Sequence, residues 1–82
     1  MPPRHRRLSA REVLRVLGEF GFEVVSTRGS HAKLRRTLPD GTREALTVPL
    51  HRTLADGTLH AIYRQACRYV PEPQLRARFF TR

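Results

Sequence analysis

The 82-residue chain has a single cysteine, Cys67, and seven acidic residues against sixteen basic ones. Each scarcity excludes something. A lone thiol forms no internal disulfide, and it rules out a zinc site built from four cysteines. It fits a reducing cytoplasm, where thiols stay unpaired. A membrane helix needs about 20 consecutive, mostly apolar residues, and no run of the sequence approaches that length. The basic opening, Met1-Pro2-Pro3-Arg4-His5-Arg6-Arg7, leads into no hydrophobic stretch of the kind a signal peptide carries. Internal repeats and low-complexity tracts are also missing. A cytoplasmic protein without a membrane segment is expected.

What the chain has in excess is arginine. Fifteen of the sixteen basic residues are Arg, and the formal net charge is +9. Such a field favours a polyanion: nucleic acid, an acidic membrane surface or an acidic protein. Guanidinium groups fork onto phosphate oxygens with two parallel hydrogen bonds, which favours nucleic acid among the three. The plainer explanation is a genome rich in Arg codons and a solvated basic surface. With 39% apolar residues, the chain suits one compact domain. It has no room for separate catalytic and binding domains, so any surface that binds a substrate must also carry the chemistry.

Residues 1–7 read as a flexible basic arm. Ser9 followed three residues later by Glu12 is a capping-box pattern, with Leu8 and Val13 placed to staple the helix start. Val13, Leu14, Leu17 and Phe20 form the apolar stripe of that helix, and Gly21 sits where a left-handed residue closes it. A first strand is expected over Phe22 to Thr27, without a definite register. Arg28-Gly29-Ser30 then turns the chain into a second strand, about His31 to Thr37. There Ala32 and Leu34 point one way, and His31, Lys33 and Arg35 the other. Pro39-Asp40-Gly41 signals a turn. The third strand, about Arg43 to Leu50, points Leu46, Val48 and Leu50 inward. After a polar connection over 51–57, Thr58 is the expected cap of a second helix with Leu59, Ile62, Tyr63 and Ala66 inward. Pro71 and Pro73 end that helix. Leu75, Phe79 and Phe80 in the tail are spaced like one face of a short helix.

The expected fold is therefore α+β, in the order α-β-β-β-α. A three-stranded antiparallel sheet would carry two helices on one face, an architecture compatible with double-stranded RNA-binding domains. Residues 8–70 would form the single domain and residues 71–82 a C-terminal tail.

Of the four histidines, His5 lies in the arm and His60 near the exposed side of the second helix. His31 differs from both. It follows Gly29 and Ser30, small residues that let a phosphate approach, and shares a strand face with Lys33 and Arg35. An imidazole titrates near neutral pH, so it can take a proton from an RNA 2′-hydroxyl while cations stabilise the charge that builds on phosphorus. DNA lacks that nucleophile, so the chemistry selects RNA without reading a base. The competing reading is an ordinary hydrogen-bonding histidine on a sheet face. His51, just past the third strand, could reach the same side. It is a candidate second catalytic or positioning group, as is Ser30. Arg28, Gly29, Lys33, Arg35 and Arg52 are the candidate RNA-binding residues. A zinc site needs three or four convergent ligands, and none is expected; nor is any cofactor.

The whole pattern resembles the HicA-like mRNA interferase toxins of bacterial type II toxin–antitoxin pairs. The resemblance begins at Ser9-Ala10-Arg11-Glu12-Val13-Leu14 and Gly21-Phe22. It centres on Arg28-Gly29-Ser30-His31, and continues through Val48-Pro49-Leu50-His51, Gly57-Thr58-Leu59 and Ile62-Tyr63-Arg64-Gln65-Ala66. It implies a domain of the double-stranded RNA-binding type, metal-independent cleavage of mRNA, and neutralisation by a HicB-like antitoxin. The family's essential histidine falls on His31. The loop Arg52-Thr53-Leu54-Ala55-Asp56 lacks the family's lysines, leaving Arg52 to supply phosphate contacts there. Two other functions fit the same residues: an RNA-binding module without catalysis, and a basic domain for an acidic protein partner.

Overall fold

The computed structural model describes residues 4–5 and 8–81. In chain order, its elements are β1 (Arg4–His5), α1 (Ala10–Glu19), β2 (Glu23–Arg28), β3 (His31–Thr37), β4 (Arg43–Pro49), α2 (Asp56–Ala66), α3 (Glu72–Phe79) and β5 (Phe80–Thr81). The middle of this order is the α-β-β-β-α arrangement expected from the sequence. Strands β2, β3 and β4 form one antiparallel sheet with β3 at its centre. Helix α1 packs on β2 and β4, α2 packs on β4, and α3 packs on α2.

Local signals place the first helix. The Glu12 amide donates to Ser9 Oγ at 3.2 Å, and the Ser9 amide donates to Glu12 Oε1 at 3.0 Å, completing the capping box. At the other end, the Phe22 amide donates to the Leu17 carbonyl and the Gly21 amide to that of Gly18. Gly21 has φ 94°, so the helix closes in a Schellman motif that only a residue tolerant of left-handed backbone makes cheaply. Leu17 and Phe22 flank the motif, and both are buried. The inward stripe of α1 is Ala10, Val13, Val16 and Leu17; Leu14 and Phe20, expected inside, are half-buried.

The register of the sheet sorts residues onto two faces. Ala32 pairs with Val48 and Leu34 with Leu46, and all four are buried under the helices. Strand β2 lies at the edge and has no buried residue. A bulge between Val24 and Ser26 explains why alternation gave it no clean register. Leu38 to Thr42 makes the second hairpin loop. The Gly41 amide donates to Leu38, Gly41 has φ 89°, and Asp40 accepts from the Thr42 amide at 2.8 Å. That hydrogen bond holds the Asp40 carboxyl below its usual range.

Several expectations for the C-terminal half are corrected. Helix α2 starts at Asp56 with Ala55 in the cap position and no side-chain cap, so Thr58 lies inside the first turn. The start is set instead by Leu54 and Leu59, both buried at the two positions of a hydrophobic staple, and by Asp56 at the positive end of the helix dipole. The connection over 51–57 is thus not wholly polar. Pro71 and Pro73 do not end α2, which stops at Ala66 with Cys67 in the cap position. Pro71 occupies the cap position of α3, and Pro73 sits in its first turn, where a missing amide proton costs nothing. Finally, Leu75 and Phe79 are buried in the same core as α1 and the sheet. Phe79 is fully covered.

Helix α3 is held by more than apolar contact. The Tyr63 hydroxyl donates to Glu72, which also receives two hydrogen bonds from the Arg76 guanidinium, at 2.7 and 2.9 Å. The Tyr63 ring meets Phe79 and Phe80 edge-on at 5.5 and 5.0 Å. Burial, then the bond to Glu72, pushes the Tyr63 hydroxyl above its ordinary range, while the same bond lowers Glu72. Beyond α3, Phe80 and Thr81 pair with His5 and Arg4. The rest of the loose arm expected over residues 1–7 lies outside the described residues.

Candidate nucleic-acid interface

The hairpin that presents His31 is a two-residue loop, with Arg28 and His31 as cross-strand partners. Gly29 has φ 53°, and Ser30 has no positive φ, which is the pattern of a type II′ turn. A Cβ at Gly29 would meet nothing within 4 Å. Glycine is needed here for its backbone angle rather than to leave room for a ligand. The Ser30 carbonyl accepts from the Leu50 amide at 2.6 Å, tying the hairpin tip to the end of β4.

Cross-strand register then assembles the solvent face of the sheet. Arg28, His31 and Pro49 form one row, and Ser26, Lys33 and Thr47 the next; Arg35 lies opposite Glu23 and Ala45 beyond them. Ser26, Arg28, His31, Ala32, Lys33 and Thr47 line a shallow concavity of about 320 Å³. His31, Arg28 and Lys33 are exposed, and Arg35 is half-buried. Among the described residues, Arg28, Lys33 and Arg35 make no ion pair, and the His31 side chain has no hydrogen-bond partner. The His31 imidazole is thus not tied into a hydrogen bond among the described residues. Two cations, Arg28 and Lys33, and two hydroxyls, Ser26 and Thr47, line the concavity with it.

Ser26 and Thr47 were not singled out by sequence reasoning. The signal for Thr47 was present, because it shares the outward phase of β4 with Pro49. Ser26 was hidden by the β2 bulge, which changes the phase of that strand.

His51 and Arg52 lie elsewhere. With Ser9, Ala10, Arg11, Leu14 and Leu50, they line a second depression of about 430 Å³ at the start of α1. The His51 carbonyl accepts from the Ala10 amide at 3.2 Å, and the Leu54 amide donates to the Leu8 carbonyl at 3.3 Å. The backbone of this loop thus fastens α1 to the sheet. The structure gathers Arg28, His31 and Lys33 into one concavity, and Gly29 and Ser30 form the turn that joins Arg28 to His31 without lining it. His51 and Arg52 are placed with Arg11 in the other.

Arg36, one residue past Arg35, points into the fold and is a structural cation. Its guanidinium donates to Glu44 at 2.6 Å, to the Phe20 carbonyl at 3.0 Å and to the Tyr69 carbonyl at 2.8 Å, and it lies 4.8 Å from the Phe22 ring centre. It joins the end of α1, β4 and the link from α2 to α3.

Among the described residues, no three His, Cys, Asp or Glu side chains converge as a metal-binding group, and no helix is long and apolar enough to cross a membrane. A family model described as the HicA toxin of bacterial toxin–antitoxin matches residues 10–66, well over half of the chain. Neither the curated proteins nor the solved structures contain a match.

Proposed function

Because this chain belongs to the HicA toxin family of bacterial toxin–antitoxin pairs, we propose that it is an endoribonuclease that cleaves mRNA with His31 as its catalytic residue. The observation that carries this reading is the His31 imidazole, exposed and without an internal partner, in a concavity shared with Arg28 and Lys33. RNA backbone lies across the sheet face, with the scissile phosphate between these cations. His31 takes the proton of the adjacent 2′-hydroxyl, whose oxygen attacks phosphorus as the bond to the 5′-oxygen breaks, and the leaving 5′-oxygen takes a proton from water. The products are a 2′,3′-cyclic phosphate, open to later hydrolysis to a 3′-phosphate, and a 5′-hydroxyl end. Arg28 and Lys33 stabilise charge on the phosphoryl oxygens as it builds. Arg35 extends the track along the backbone. Arg52, with His51 and Arg11, holds a neighbouring phosphate at the start of α1.

Chemistry of this kind uses the substrate's own hydroxyl and runs without a metal. The protein works in the cytoplasm, where mRNA is found, and is neutralised there by a HicB-like antitoxin. The decisive experiment incubates RNA with the original protein and with His31→Ala in EDTA, then identifies the product ends. Cleavage to cyclic-phosphate ends is expected from the original protein, and no cleavage from a folded His31→Ala variant. Undiminished cleavage by that variant would overturn the mechanism. Toxicity that survived in the variant without cleavage would instead favour a toxin that blocks translation by occupying RNA.

A further inference from the structure

The sheet has two edges, and they are not equivalent. Along β4 the Gln65 amide reaches across from α2: its nitrogen donates to the Thr47 carbonyl at 3.4 Å, and its oxygen faces the Thr47 amide at 3.5 Å. That side chain blunts the edge. Strand β2 has no such cover. One side of it pairs with β3, and among the described residues no element pairs with the other. Val24 and Val25 in this strand are 48% and 43% exposed, and they are the exposed large hydrophobic residues among those described. An open edge of unpaired backbone groups beside adjacent valines is a template for another strand, and natural proteins usually protect such an edge.

We propose that β2 is the docking edge for an extended acidic segment of the antitoxin, which adds a fourth strand to the sheet. This rests on the chain being the toxin of a toxin–antitoxin pair. Charge selects the occupant. The chain carries +9, and β2 borders the solvent face that holds Arg28, Lys33 and Arg35. A second copy would bring the same charge to the same edge, whereas an acidic strand is attracted to it. The added strand would run about 4.8 Å from β2. Its outward side chains would then stand beside Ser26 and Arg28, at the rim of the concavity that contains His31. Pairing with β2 would supply affinity through the backbone, Val24 and Val25 would receive apolar side chains, and carboxylates on the strand would meet Arg28 and compete with RNA phosphate.

The test measures hydrogen exchange in this chain alone and in complex with its antitoxin. Amides of residues 23–28 that face away from β3 are expected to exchange at least tenfold more slowly in the complex. Unchanged exchange there, with antitoxin bound, would overturn the proposal. Slowing that needs only a higher concentration of the chain would assign the edge to a second copy, and slowing by RNA alone would assign it to RNA; either result would overturn it as well. The paired variants Val24→Lys with Val25→Lys, and Val24→Glu with Val25→Glu, supply a second arm, their folds checked by circular dichroism. Both are expected to weaken antitoxin binding at least tenfold, the Glu pair more than the Lys pair. RNA cleavage by the free chain should not change. Equal antitoxin binding by a folded variant would count against the proposal, and a larger loss from Lys than from Glu would refute the acidic occupant. If the ribonuclease reading alone failed, RNA would stay intact while antitoxin still protected β2.

Discussion

Arg28 and His31 face each other across β2 and β3, separated in sequence only by the Gly29-Ser30 turn. A cation and an imidazole are thereby held side by side by the tightest connection that two antiparallel strands allow. The geometry of the turn sets the geometry of the site.

Gly29→Ala should destabilise the fold by about 1–2 kcal/mol, the cost of left-handed backbone for a residue with a Cβ. The open space around Gly29 means that no steric clash adds to this. Denaturant unfolding gives the magnitude, and RNA cleavage should fall as the hairpin relaxes. An unchanged midpoint would show that the turn does not constrain the site.

Arg28→Ala and Lys33→Ala should separate binding from chemistry. Each removes one cation from the phosphate track, so RNA affinity should fall. The slope of log affinity against log salt should flatten by about 0.7 for each phosphate no longer neutralised on a single strand. His31→Ala should leave that slope nearly as it is while abolishing cleavage. Binding isotherms at several salt concentrations discriminate these outcomes. A flattened slope for His31→Ala would move His31 from the chemistry to phosphate binding.

Arg36→Lys is expected to cost roughly 2–4 kcal/mol, although it conserves charge. A lysine ammonium cannot span Glu44 and the carbonyls of Phe20 and Tyr69 together, so part-buried acceptors would lose their donors. Thermal unfolding would show it. A change below about 0.5 kcal/mol would mean that water replaces the guanidinium.

Phe79→Ala should cost about 3–5 kcal/mol, because the ring is fully buried in the common core. Removal of residues 71–82 should unfold the domain for the same reason. A truncated chain with an intact near-ultraviolet spectrum would show that α3 is dispensable.

The contact between Tyr63 and Glu72 should make α3 sensitive to pH at both extremes. Glu72 is lowered in the fold, so its contribution is present above its unfolded value and is lost as pH falls through the folded one. Tyr63 is raised, so its contribution is complete below the ordinary tyrosine range and is lost as pH rises beyond it. Exchange of α3 amides should quicken at both ends, and Glu72→Gln should remove the acid limb. An acid limb retained in that variant would assign it to other carboxylates.

The parts of this protein set by neighbouring residues were legible in its sequence. Ser9 with Glu12 marked the start of α1 and Gly21 its end. Asp40 with Gly41 marked a turn, and the alternation from His31 to Arg35 put His31, Lys33 and Arg35 on one face with Ala32 and Leu34 on the other. Each is a matter of one or two turns of helix or one period of a strand, so local hydrogen bonding and backbone angles suffice. Tertiary structure decided the rest. Arg36 looks like its basic neighbours in a linear reading, yet three acceptors from distant segments converge on it. Ser26 and Thr47 join His31 only through a register that includes a bulge. His51 and Arg52 line a separate depression because the loop after β4 is fastened to the start of α1. The tail became core because Leu75 and Phe79 fill space between elements that are far from them in the chain. Such outcomes depend on packing and long-range pairing, whose energies arise only when distant segments meet.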